Sequence, residues 1–111
     1  DLSKKVSTCI IEIIVVPGNL PKKSTIYITG NHPSIGNWQA DAVPLKENPD
    51  GSWQGSFKIE DHYDLEYKLT RGSWESEFVD KNGNVMPNNK LYIINDTTIT
   101  IIVDNWKDLI N

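Results

Sequence analysis

Apolar and polar residues alternate with a period of two over most of the chain, the signature of strands half buried against a core. In residues 8–16, Cys9, Ile11, Ile13 and Val15 fall on one face and Glu12 on the other, and Pro17-Gly18-Asn19 ends the run. A second strand is predicted over residues 25–29. The turn-rich stretch 30–39 that follows, holding Asn31, Pro33, Gly36 and Asn37, reads as too polar for the core. A short strand at 43–46 precedes Asn48-Pro49-Asp50-Gly51, a strong turn signal. In 52–59, Trp53, Phe57 and Ile59 alternate with Gln54, Ser56 and Lys58. In 64–70, Leu65, Tyr67 and Leu69 turn inward, leaving Glu66 outside and Lys68 as a surface cation. After Arg71-Gly72-Ser73, residues 74–79 extend as a strand up to the turn Asp80-Lys81-Asn82-Gly83-Asn84. The last pair, 91–94 and 97–103, reads as a hairpin joined at Asn95-Asp96. Seven or eight such strands predict a β-sandwich.

Composition supports the same class. The 111 residues include 14 Ile, 7 Val and 7 Thr against 2 Ala, and β-branched side chains suit a pleated sheet better than a helix. The length fits one domain over residues 1–111, with a core at about 8–107 and frayed ends at 1–5 and 107–111. No apolar stretch is long enough for a membrane-spanning helix. A formal net charge of −4, with no basic run, argues against nucleic acid as a partner. The chain opens at Asp1 rather than Met, and so reads as a mature product or a piece of something longer.

Chemistry-bearing residues are sparse. Cys9, the one cysteine, excludes an internal disulfide and a cysteine-based zinc site, and its apolar run predicts a buried, inert thiol. Asp80, Asn82 and Asn84 alternate like the start of a calcium loop. Val85 and Leu91, however, stand where that loop needs Gly and Glu, so an Asn-Gly turn is the reading. His32 and His62 lie in polar loops without a metal-spaced partner and read as solvated. Glu75 and Glu77 are the nearest approach to a paired-carboxylate site, in a domain too small for the deep cleft that would tune them. The prediction is a non-enzymatic domain with no cofactor and no metal.

The four tryptophans divide into two pairs. Trp53 falls on the inward face of an alternating strand, and Trp106, after the last strand, closes the end of the sandwich. Trp38 and Trp74 sit among turn-forming and polar residues, which predicts partial exposure. Exposed rings flanked by Asn, Lys and Glu suit a neutral, hydroxyl-rich ligand. The ring face covers the C–H side of a sugar while the polar groups take its hydroxyls. Such rings also suit an interface anchor, so the alternative is a structural sandwich packing against a neighbouring catalytic or partner domain.

The order of short motifs goes further: Ile26-Tyr27-Ile28-Thr29-Gly30, Ile35-Gly36-Asn37-Trp38, Val43-Pro44-Leu45, Trp53, Leu65-Glu66-Tyr67-Lys68, Trp74-Glu75-Ser76, Pro87-Asn88 and Asn105-Trp106. This series, running from about residue 8 to 107, resembles the starch-binding domains of the family 20 carbohydrate-binding modules. The resemblance implies an immunoglobulin-like antiparallel β-sandwich that binds α-1,4-glucans (starch, glycogen, maltooligosaccharides, cyclodextrins) and is attached to a catalytic domain. It implies that Trp38 and Trp74 stack on sugar rings, while Lys68, Glu75 and Asn88 supply hydrogen bonds, with Asn89 and Asn84 as the other candidates for the asparagine. The family's second site is built on tyrosines, and the matching positions here, Lys22 and Asp50, are not aromatic. The residues between Glu77 and Pro87 also lengthen the loop that in the family leads almost directly from Trp-Glu-Ser to Pro-Asn.

Overall fold

The computed structural model describes residues 7–110; the fraying expected of residues 1–5 and of residue 111 lies outside it. The described residues form no α-helix. Their strands are β1 (Thr8–Pro17), β2 (Tyr27–Gly30), β3 (Val43–Pro44), β4 (Lys46–Glu47), β5 (Trp53–Glu60), β6 (Asp64–Thr70), β7 (Phe78–Val79), β8 (Asn89–Tyr92), β9 (Thr97–Val103) and β10 (Asn105–Trp106). Three 3-10 turns, at Pro33–Ile35, Trp74–Ser76 and Lys107–Leu109, interrupt them.

Two four-stranded sheets, ordered β4-β5-β1-β9 and β3-β2-β6-β8, carry one core between them, with β10 and β7 forming a small ribbon. The predicted inward residues of β1 (Cys9, Ile11, Ile13, Val15), of β5 (Trp53, Ile59) and of β6 (Leu65, Tyr67, Leu69) all belong to that core. The all-β sandwich class thus holds. Its pairings are antiparallel except one: β9 runs parallel to β1, from Ile11 opposite Thr97 to Pro17 opposite Val103.

Several local expectations are corrected. The predicted hairpin at Asn95-Asp96 does not form, because β8 pairs with β6 in one sheet and β9 with β1 in the other. The Asp96 carboxylate instead accepts the Ile10 N–H at 2.8 Å. The predicted strand 43–46 divides: β3 pairs with β2, β4 pairs with β5, and Leu45 is buried where the chain crosses between sheets. Residues 74–79 are a 3-10 turn followed by the two-residue β7. At the other end, residues 107–109 do not fray: Arg71 pairs with Asp108, and Leu109 packs against the core.

The stretch 30–39 is polar by composition yet packs closely. Ile35 is fully buried in the core. Asn31 replaces missing ladder bonds, its side-chain oxygen accepting from Glu66 N at 2.9 Å and its amide donating to the Asp64 carbonyl at 2.9 Å. A Cβ on Gly30 would fall 2.1 Å from the Glu66 carbonyl oxygen, so this approach requires glycine. His32 is half buried rather than solvated. Its Nδ1 accepts the Ser34 N–H at 3.0 Å, and its Nε2 meets Glu60 Oε1 at 2.5 Å. Only His62 stands largely in solvent.

Candidate functional site

Trp38 is held in a backbone conformation that a bulky side chain rarely adopts. Gly36, Asn37 and Trp38 have successive positive φ values of 84°, 48° and 67°. The Trp38 N–H donates back to the Gly30 carbonyl at 2.8 Å, closing the loop on itself. The result is a half-buried ring at the surface rather than in the core.

Trp74 opens the second loop, as the first residue of its 3-10 turn. The turn is built by Ser76, which is buried: its hydroxyl accepts the Arg71 N–H at 3.2 Å and the Ser73 N–H at 3.3 Å, and donates to the Ser73 carbonyl at 3.0 Å. Local hydrogen bonding by serine favours such a turn over a strand. This is the physical reason that residues 74–76 leave the sheet.

The two loops meet. The Trp38 and Trp74 ring centroids are 6.4 Å apart, with planes inclined at 41°. Both rings are half buried, and Glu75, next in the turn, is exposed. The sequence expectation of partial exposure for this pair agrees with the structure. Trp53 and Trp106 are core residues, the latter fully buried with its Nε1 donating to the Gly18 carbonyl at 3.2 Å and the Arg71 guanidinium 5.6 Å over its ring.

Lys68 differs from the surface cation expected. Its side chain keeps only 17% of its surface exposed, and its Nζ donates to Glu77 Oε1 at 2.8 Å. Glu77 is itself buried, with Lys107 Nζ 3.8 Å from its second oxygen. The pattern of residues 74–79 hid this partner, because a continuous strand would not bring Glu77 back over β6. Asn88 is anchored in the same neighbourhood, its amide donating to Glu66 Oε1 at 3.0 Å. Asn89 donates to the Tyr67 carbonyl at 3.3 Å and Asn84 to the Asp80 carboxylate at 3.2 Å.

The structure therefore brings Trp38 and Trp74 into one feature, with Glu75 beside it. Lys68 and Asn88 are held by Glu77 and Glu66, on the outward face of β6 that leads up to Thr70. Asp80 is occupied by its own turn, its Oδ1 accepting the N–H groups of Asn82 and Asn84 at 2.9 Å each. Those hydrogen bonds, led by the Asn84 amide, hold its carboxyl below the usual aspartate value.

A β-sandwich that offers two aromatic rings on adjacent loops, with an exposed carboxylate next to one of them, has the form of a carbohydrate-binding module. The chain belongs to the family described as starch binding domain, whose pattern matches residues 8–101, and it is a non-catalytic starch-binding domain. It is 32% identical over 98 residues to an alpha-amylase of Niallia circulans, and 24% identical over 100 residues to an amylopullulanase of Thermoanaerobacter thermohydrosulfuricus. Each match covers 86% of this chain and 7% of the curated relative. Among solved structures, the family 20 carbohydrate-binding module of a maltotetraose-forming amylase from Pseudomonas saccharophila superposes with a TM-score of 0.63 at 18% identity, covering 84% of this chain and 98% of that one. A glucoamylase from Hypocrea jecorina gives a TM-score of 0.67 at 20% identity, over 93% of this chain and 18% of that one. At those identities the likeness is one of fold.

Proposed function

We propose that Trp38 and Trp74 form the platform on which this domain binds α-1,4-glucans: starch, glycogen, maltooligosaccharides and cyclodextrins. One observation carries this reading: the two rings stand close together but 41° out of parallel. A flat chain such as cellulose suits coplanar rings, whereas the curved path of an α-1,4-glucan suits two faces inclined towards each other. Glu75 accepts from sugar hydroxyls beside Trp74. Lys68 uses one of its three N–H donors on Glu77 and keeps two for hydroxyls. Asn88 gives one N–H to Glu66 and keeps its carbonyl and second N–H. The site is open and buries little area, so its affinity is modest. Its benefit is tethering, which raises the effective concentration of polysaccharide around an attached, amylase-like catalytic domain.

The test is a titration of the domain with β-cyclodextrin, and with cellohexaose as control, followed by tryptophan fluorescence and by heat. Saturation with the cyclodextrin alone, lost in Trp38→Ala and in Trp74→Ala with unchanged far-UV circular dichroism, is the expected result. Silence from a folded protein would overturn the tryptophan platform and leave the rings as interface anchors.

A further inference from the structure

We propose that a second saccharide platform, built on Tyr92, lies on the outward face of β6 and β8. It extends the glucan-binding reading and takes the same class of ligand, on a different ring, with Glu66, which also anchors Asn88, between the two platforms. In the antiparallel register Asp64 stands opposite Tyr92 and Glu66 opposite Lys90. Leu65 and Leu91 turn to the core side, so these four side chains share the outward face. They line an open groove of about 390 Å³.

Tyr92 is the ring of this groove. It remains 48% exposed although it sits on a regular strand. Its orientation is fixed from outside the strand: His62 stands edge-on to it, with centroids 6.0 Å apart and planes at 71°. His62 reaches that place through a positive φ of 62°. The turn it belongs to is tied to the end of β8 by two backbone bonds, His62 N to the Ile93 carbonyl at 2.6 Å and Ile93 N to the Tyr63 carbonyl at 3.0 Å.

The groups around the ring select the ligand chemistry. Asp64 and Glu66 offer carboxylate acceptors and Lys90 an ammonium donor, so the rim carries both signs and suits hydroxyls better than a polyanion. The exposed aromatic surface accounts for the C–H side of a sugar ring. Asp64 lies four residues from Lys68 along β6, about 13 Å away at the rise of a strand. One long glucan, or two neighbouring chains of a granule, therefore spans both platforms, and the gain appears on polysaccharide more than on a small sugar.

The deciding experiment follows the backbone amides of the whole chain by nuclear magnetic resonance during a β-cyclodextrin titration. It compares wild type with Trp74→Ala, Tyr92→Ser and Tyr92→Phe, with amylose retention measured alongside. Two sets of amides saturate in the wild type, one around Trp38 and Trp74 and one around His62, Asp64, Lys90 and Tyr92. The second set survives Trp74→Ala and Tyr92→Phe and vanishes in Tyr92→Ser, whose amylose retention falls on the order of tenfold. Movement of the tryptophan set alone, or a second set that persists in Tyr92→Ser, overturns the proposal. Movement of the Tyr92 set alone supports it and overturns the tryptophan platform instead. Silence in both sets, from a folded protein, overturns both.

Discussion

The Thr70 hydroxyl donates to the Ala40 carbonyl at 2.7 Å and accepts the Gly72 N–H at 3.0 Å, so one buried side chain clasps the loop of Trp38 to the loop of Trp74. Thr70 is fully buried at the last position of β6. Thr70→Val keeps the shape and removes both bonds, stranding a carbonyl and an amide. A loss of about 2 kcal/mol of stability is expected. Because the clasp sets the ring pair, β-cyclodextrin affinity should fall with it, by roughly tenfold or 1.4 kcal/mol. Urea unfolding and calorimetric titration of the same variant check the two effects; a stability loss with unchanged affinity would show that the rings are positioned by other contacts.

The Lys68–Glu77 pair makes a second prediction. Both groups are mostly out of water, so removing one leaves the other as an uncompensated charge. Glu77→Ala should destabilise by about 3 kcal/mol, and Lys68→Met combined with it should cost less than the two single changes added. A double-mutant cycle in chemical denaturation measures the difference.

Acid should weaken the fold through three carboxylates. Asp80 is held low chiefly by the Asn84 amide, Asp50 by the Ser52 hydroxyl, and Glu60 by its own backbone N–H and then by His32. A lowered carboxyl binds fewer protons folded than unfolded, so its contribution is fully present above its ordinary value, 3.8 for the two aspartates and 4.5 for Glu60, and disappears as pH falls through the folded value. The urea midpoint should therefore drop as pH falls through and below those ordinary values. Asp80→Asn should make the drop shallower; an unchanged slope would assign it to other groups.

Cys9 should be silent in the folded protein. It is buried on the core face of β1, and burial, with smaller contributions from Asp96 and Asp61, pushes its thiol above the ordinary value. A thiol reagent should label it only at the rate at which the domain unfolds, which colour development with and without denaturant will show.

The legible parts of this chain are those with a local cause. Period-two alternation marks β1 and β6 nearly residue for residue, and turn formers around Trp38 and Trp74 set them apart from Trp53 and Trp106. What was hidden depends on partners distant in sequence. Ile35 is a lone apolar residue in a polar loop, and only the docking of Asn31 on β6 shows why it is buried. Glu77 and His32 look like surface residues until Lys68 and Glu60 are placed against them. Residues 43–46 read as one strand because alternation does not reveal that the chain changes sheets at Leu45. Asn95-Asp96 carries the residues of a hairpin turn, yet β9 finds its partner in β1, almost the full length of the chain away.

That parallel pairing has a mechanical consequence. Strands that lie side by side and point the same way present opposite ends to their outer connections: β1 is reached at Thr8, and β9 is left at Val103. Tension applied between those two points acts along the strands, so the rungs of the ladder share the load and must slide together. An antiparallel pair pulled from adjacent ends would open one rung at a time. Tension along that line therefore loads the domain in shear, the direction in which its sheet gives way last.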